Sequence, residues 1–159
     1  MTPEQQLQAR PSFEQATVGY LQMLTEMRAA LQAIAPNLRW VHPAPNIVGS
    51  AGCEEPFSQI AGTETITYGS NATGRIPEAQ WPRALQQLMA IAATYHFTAA
   101  QTLTVPASPT PGATAPHIVY LHDPWGGNFT VQTEVNTVLG VDSPCLRHES
   151  GRGGAPTTS

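Results

Sequence analysis

The chain of 159 residues contains no lysine and little charge of either sign. All seven of its positive side chains are arginines, and charged residues make up only 11% of the composition, less than half of the usual share of about 25%. The formal net charge is −4, and the arginines form no cluster. Because binding to a nucleic-acid backbone depends on clustered Lys and Arg, we expect no nucleic-acid partner.

The sequence also lacks long apolar runs and several catalytic motifs. No run approaches the roughly 18 apolar residues of a membrane span, and the first residues carry no basic and apolar signal-peptide pattern. A G-x-S-x-G motif, an H-E-x-x-H motif, a P-loop and a G-x-G-x-x-G motif are all absent. With 41% apolar residues, the chain can nevertheless bury the core of one domain.

Only two cysteines are present, Cys53 and Cys145. They lie 92 positions apart, so they form neither a C-x-x-C redox motif nor a four-ligand zinc site. Both have loop-forming neighbours, which favours one structural disulfide over the alternative of two unrelated buried thiols. A disulfide persists in an oxidising compartment, so we expect a domain that works outside the cytoplasm. Such a bond would also leave no thiol for nucleophilic catalysis.

Two helices are predicted from apolar side chains at steps of three and four residues. Ser12 can cap the first helix in a capping box, and Pro36 ends it. The second helix begins near Pro77 and ends near Tyr95, with Pro82 either in its first turn or at its true start. The predicted buried stripes are Phe13, Ala16, Tyr20, Leu24, Met27, Leu31 and Ile34 in the first helix, and Trp81, Leu85, Leu88, Ala92 and Tyr95 in the second.

Five strands are predicted from β-branched runs and from alternation of polar and apolar side chains. Residues 45–62, which include Cys53, are predicted to form a loop between the first two strands. The last strand alternates cleanly, which is typical of an antiparallel sheet with one wet face. The predicted strands are Leu38–His42, Thr63–Gly69, Ala99–Val105, His117–His122 and Asn128–Val138.

The predicted order is helix, two strands, helix and three strands. This order predicts an α+β two-layer sandwich, with both helices on one face of a mostly antiparallel sheet of about five strands. Residues 12–148 would form this single domain. The Gln-rich residues 1–11 are predicted to be a flexible tether, and residues 149–159 a disordered tail.

The histidines and Asp123 are the side chains that could carry chemistry. His122 and Asp123 could form half of a hydrolytic site, although a histidine at a strand end is commonly satisfied by a carbonyl or by solvent. His117 and His122 are five residues apart and would face opposite sides of a strand. Since no histidines have the spacing of metal ligands, we expect no metal and no cofactor.

Apolar and aromatic side chains suggest binding instead. Trp125 lies in a predicted turn, where it can serve recognition at the surface or pack over the sheet edge. A carrier of an apolar molecule would use the space between the helices and the sheet. Its candidate lining, for which ordinary core is the alternative interpretation, is Leu24, Met27, Leu88 and Met89.

The order of several short motifs resembles a known family. Over about residues 12–148 the chain is similar to the mycobacterial LppA-like lipoproteins, and Pro-Asn-Ile before the first cysteine is the most specific part of the resemblance. The motifs are Ser12-Phe13-Glu14-Gln15-Ala16 at the first helix, Trp40 in the first strand, Pro45-Asn46-Ile47 ahead of Cys53, Pro77-Glu78 and Trp81 at the second helix, and Cys145 after the last strand.

This resemblance implies a secreted precursor with a signal peptide and a lipobox. Its acylated cysteine would hold the domain at the outer face of the cell membrane. Residues 1–11 contain no cysteine, so we expect the acylated residue to precede Met1. The family brings no catalytic residues.

The leading hypothesis is therefore a non-enzymatic domain of a cell-envelope lipoprotein, with an envelope protein or a lipid as its partner. The alternatives are a carrier of an apolar small molecule or lipid, and a hydrolase that uses His122 and Asp123.

Overall fold

The computed structural model describes residues 1–104 and 114–150. The described part of the chain contains three helices and eight strands. The helices are α1 (Pro3–Gln8), α2 (Phe13–Ile34) and α3 (Trp81–Thr94). The strands are β1 (Arg39–Trp40), β2 (Asn46–Ala51), β3 (Thr63–Thr73), β4 (Ala99–Thr104), β5 (His117–His122), β6 (Asn128–Thr133), β7 (Asn136–Asp142) and β8 (Leu146–Arg147).

All described strand pairs are antiparallel, and the strand order is β1-β3-β7-β6-β5-β4. The eleven-residue β3 organises one end of the sheet, because β2 and β8 also pair with it. From β7 to β4 the strands are joined in sequence as a meander. The sheet is therefore a single layer, and it needs helices to bury its apolar face.

Helices α2 and α3 supply that second layer. Ser12 caps α2 as predicted: its hydroxyl accepts from the Gln15 backbone N–H, and the Gln15 side chain accepts from the Ser12 N–H, both at 3.1 Å. Helix α3 begins at Trp81, which places Pro82 in its first turn. Both helices pack on one face of the antiparallel sheet, which confirms the predicted α+β arrangement. The fully buried side chains of this core include Met23, Leu24, Met27, Leu31, Leu88, Leu121, Phe129, Val131, Leu139 and Val141.

The number of strands was predicted wrongly, since the sheet has eight and not about five. The predicted strand 128–138 is the hairpin of β6 and β7, in which Thr133 pairs with Thr137. The predicted loop 45–62 contains β2, whose six residues are all exposed. A strand with no buried face has no apolar alternation, so the pattern gave no signal for it. The two-residue β8 also went unpredicted.

The first residues include helix α1, whereas a flexible tether was predicted for residues 1–11. Thr2 and Gln5 form a capping box for α1, with Pro3 in its first turn. Leu7, only 2% exposed, packs in a small cluster with Phe57 and Cys145. This apolar contact gives the short helix the tertiary support that an isolated six-residue helix lacks. Two other predicted parts lie outside the described residues. They are residues 151–159 of the predicted tail and Val105, the last residue of the third predicted strand.

The predicted disulfide between Cys53 and Cys145 is confirmed. The S–S distance is 2.08 Å and the Cα atoms are 5.5 Å apart. The bond joins the segment after β2 to the segment between β7 and β8. Arg10 reinforces the same place, because its guanidinium donates to the Cys145 carbonyl at 2.8 Å and lies 4.7 Å from the Phe57 ring.

Candidate functional site

The apolar side chains that were predicted to line a carrier cavity do not share one surface. Leu24, Met27 and Leu88 are fully buried in the core between the helices and the sheet. Met89 follows Leu88 on α3 and is 36% exposed. Adjacent helical residues point about 100° apart, so Leu88 and Met89 face different environments.

The side chains of His122 and Asp123 are also engaged separately. His122 lies on the sheet face turned away from the helices, where its Nδ1 contacts the Asn128 side-chain oxygen. Asp123 begins the turn after β5, and its Oδ1 accepts from the backbone N–H groups of Trp125 at 2.9 Å and Gly127 at 2.6 Å. In the described residues no hydrogen bond joins the ring to the carboxylate. A hydrolytic pair needs such a bond to orient its base.

Trp125, predicted as a surface recognition residue, lies in a cleft of about 190 Å³. The cleft opens between the first half of α2, the end of α3 and the turn that joins β5 to β6. We call it the aromatic cleft. Its principal side chains are Tyr20, Tyr95, His96, Asp123 and Trp125.

Three separate elements hold the rings of the aromatic cleft in place. Tyr20 belongs to the buried stripe of α2, and Tyr95 and His96 follow α3 directly. The His96 and Trp125 rings meet edge to face, with centroids 5.4 Å apart and an interplanar angle of 71°, a favourable geometry for two aromatic rings. Gly19 of α2 also lines the cleft, where the Tyr95 ring lies 3.7 Å from the place of a Cβ on Gly19, an ordinary van der Waals distance.

His96 has an unusual backbone conformation, with φ +76°. It ends α3 in a Schellman-type turn, in which the Phe97 N–H donates to the Ala92 carbonyl at 3.0 Å. Glycine normally occupies this position, because a side chain costs roughly 1–2 kcal/mol in the left-handed region. In this chain the position is occupied by His96, whose ring lines the aromatic cleft.

The carboxylate of Asp123 gives the cleft its charge. Asp123 is 9% exposed, and while Oδ1 is held by two N–H groups, no donor among the described residues reaches Oδ2. Gly127 allows this geometry, since a Cβ there would lie 2.5 Å from Oδ2. Asp123 thus brings to the cleft lining a nearly buried carboxylate that has no described donor on its second oxygen.

Two tyrosine hydroxyls add hydrogen-bonding capacity. Burial, together with the negative charge of Asp123, raises the pKa of Tyr20 far above its ordinary value, so its phenol stays protonated at physiological pH. Burial and a hydrogen bond to Glu26 raise the pKa of Tyr95, whose hydroxyl donates to Glu26 Oε2 at 3.0 Å. Of these two hydroxyls, that of Tyr95 has a hydrogen-bond partner, and that of Tyr20 has none among the described residues.

A second polar cluster surrounds His148. Its Nδ1 lies 2.9 Å from Glu14 Oε2 and its Nε2 lies 2.8 Å from Glu64 Oε1. The ring also stacks on Phe13 with centroids 4.1 Å apart. Because both ring nitrogens are engaged, this histidine fastens the end of the domain to α2 and β3.

Over residues 1–104 and 114–150, no group of three or more His, Cys, Asp or Glu side chains could hold a metal ion.

In the same residues, no helix combines the length and the apolarity required to cross a membrane.

Sequence reasoning found Trp125 and Asp123 but missed the other residues of the aromatic cleft. Tyr20 and Tyr95 were predicted only as members of the buried helix stripes, and no role was predicted for His96. A signal existed in the tyrosines, since a Tyr in a buried stripe carries a hydroxyl that needs a polar environment. Nothing in the sequence could bring Tyr20 and Tyr95 to the same cleft as Asp123.

Comparisons with known proteins identify similar chains. Residues 2–149 match a family model named LppA and described as a lipoprotein confined to pathogenic Mycobacterium. The fold is similar to a crystal structure described as lipoprotein LppA from Mycobacterium tuberculosis, with a TM-score of 0.69, 91% of this chain covered, 83% of that chain covered and 13% identity. At that identity the likeness shows the shared fold alone. No curated protein matches this chain.

Proposed function

This chain belongs to the LppA family of lipoproteins, as its motifs predicted, and on this premise we propose that its domain is a non-enzymatic binding module held at the outer face of the cell membrane. The family description supports a lipid anchor, which we place N-terminal to α1. The disulfide supports an oxidising location.

The aromatic cleft is the observation that carries the proposal of binding. Tyr and Trp provide large contact areas at low entropic cost, and they dominate the binding energy of many interfaces. The cleft of about 190 Å³ is smaller than the roughly 300–1,000 Å³ of drug-sized sites. Its size suits one headgroup or one side chain of a partner.

Several groups that could have supplied catalysis are committed to structure. Both cysteines form the disulfide, the His148 ring is held by two carboxylates, and His122 contacts Asn128. These commitments support a role in binding over a role in hydrolysis.

The anchor is tested by labelling the full-length precursor with a fatty-acid analogue in a mycobacterial host, with and without globomycin. We expect labelled protein in the membrane fraction, and accumulation of unprocessed precursor under globomycin. A precursor that stays unlabelled and water-soluble would rule out the anchor.

The binding role is tested by a photo-crosslinking amino acid at Thr94, at the cleft. Met89 is the matched control, because it is exposed on the same helix and does not line the cleft. We expect a discrete adduct in cells from position 94 only, and its loss when Trp125→Ala is added. The same adducts from both positions would contradict a binding role for the cleft.

A further inference from the structure

We propose that the aromatic cleft binds an organic cation, namely an alkylammonium group on a small molecule or on a partner's side chain. This inference rests on the proposed binding function and adds to it the chemical class of the ligand. It follows from three features of the cleft: the charge of Asp123, the faces of the surrounding rings, and the backbone conformation of His96.

The charge comes from a carboxylate that is nearly buried. The two backbone N–H groups on Oδ1 fix the orientation of Asp123, which lines the cleft, and no described donor reaches its Oδ2. A buried negative charge is costly unless a positive charge or a set of donors satisfies it. An ammonium ion that enters the cleft supplies both.

The rings suit a cation better than they suit an anion or a neutral polar group. Aromatic faces carry partial negative charge and attract ammonium groups, and cages of several rings are the usual sites for quaternary ammonium ligands. Here Tyr20, Tyr95 and Trp125 surround the same volume as Asp123. A cation in this cleft is therefore attracted both by the rings and by the carboxylate.

The third feature is the side chain kept at a position suited to glycine. His96 adopts φ +76°, and its ring meets the Trp125 ring edge to face. This contact fixes the plane of the indole on one side of the cleft. The chain therefore maintains a left-handed histidine at the point where it orients the largest ring of the site.

Arg10 is the nearby positive charge that could compete with the ligand. Desolvation lowers the pKa of Arg10, and the negative charge of Asp123 raises it by a smaller amount. The guanidinium is already bonded to the Cys145 carbonyl and lies over the Phe57 ring. It lines a different pocket, which also includes Trp125, and it is not among the residues that line the aromatic cleft.

The test is a titration of the folded domain with two matched pairs of probes at low salt. Choline is compared with 3,3-dimethylbutanol, its neutral isostere, and Nα-acetyl-lysine methylamide with the corresponding norleucine compound. Binding is followed by NMR at the Trp125 indole N–H, assigned with Trp125→Phe. We expect at least one cation to bind about tenfold or more tightly than its neutral partner. The preferred pair tells whether the source is a quaternary headgroup or a lysine side chain.

Asp123→Asn should erase the preference for the cation, because it removes the negative charge. The turn should be retained, because the amide oxygen can still accept from the N–H groups of Trp125 and Gly127. Asp142→Asn is the matched control: it removes the same charge from the far face of the sheet, where Asp142 accepts from Thr67, and should keep the preference. Thermal unfolding of both variants verifies that they fold.

Equal binding of a cation and its isostere would overturn the proposal and leave a cleft for neutral ligands. Equal loss in both Asn variants, or no binding of either cation at any soluble concentration, would also overturn it. The adduct from position 94 tests the binding function independently of these titrations.

Discussion

Removal of the bond between Cys53 and Cys145 should destabilise this domain about as much as the most severe single core truncations. The bond closes a ring of 92 positions, and the chain-entropy relation gives about 4–5 kcal/mol for a ring of that length. Native disulfides of small secreted domains typically contribute about 2–5 kcal/mol. Since single domains are stable by only about 5–15 kcal/mol, a contribution of about 4–5 kcal/mol is at least about a quarter of the total.

The perturbation is the double variant Cys53→Ala with Cys145→Ala, measured by urea unfolding and calorimetry. With a urea m-value of about 2 kcal/mol/M, the midpoint should fall by about 2 M. The melting temperature should fall by about 10–20 °C for a domain of this size. Treatment of the natural protein with a reductant should give a similar loss, and the reductant should leave the double variant unchanged. A midpoint shift of less than about 0.5 M would refute the entropic reasoning.

Two further predictions concern the ends of the domain. Leu7→Ala should cost about 2–3 kcal/mol in urea unfolding, because Leu7 packs on Phe57 and Cys145, whereas exposed Gln8→Ala should have almost no effect; equal results would mean that α1 does not dock. Burial tends to raise the pKa of Glu14, but the Glu149 N–H and the His148 ring together hold it below its ordinary 4.5. The stability that these bonds give is present above the unfolded pKa and is lost as the pH falls through the lower folded value. Glu14→Gln should therefore flatten the loss of stability below about pH 4.5, and NMR titration of the Glu14 carboxyl in the natural protein should report the lowered pKa.

The helices were predictable because their signals are local. The capping box at Ser12 and the apolar steps that follow it predict α2 without reference to any other segment. The same kind of signal precedes α1, where Thr2, Pro3 and Gln5 form a capping box. It was overlooked because only one apolar residue, Leu7, follows, and its packing partners lie far along the chain.

The strands were predictable only where one face is buried. In the β6–β7 hairpin the paired residues Thr133 and Thr137 are both buried and four positions apart. An even separation keeps the alternation in phase through the turn, so the period of two cannot mark where the chain reverses. Val135 continues the apolar pattern at the tip, where it is 77% exposed, and the turn contains neither Gly nor Pro.

The disulfide and the aromatic cleft are parts of one structural unit. Cys145 follows Pro144, whose ring lies 2.9 Å from the place of a Cβ on Gly127. Gly127 in turn donates to the carboxylate of Asp123, which also accepts from Trp125. The disulfide, first interpreted as a sign of the compartment, therefore lies close to the turn that carries Asp123 and Trp125. Because Arg10 bonds to the Cys145 carbonyl and the next residue lines the cleft, the N-terminal segment that would lead to the lipid anchor reaches the same end of the domain.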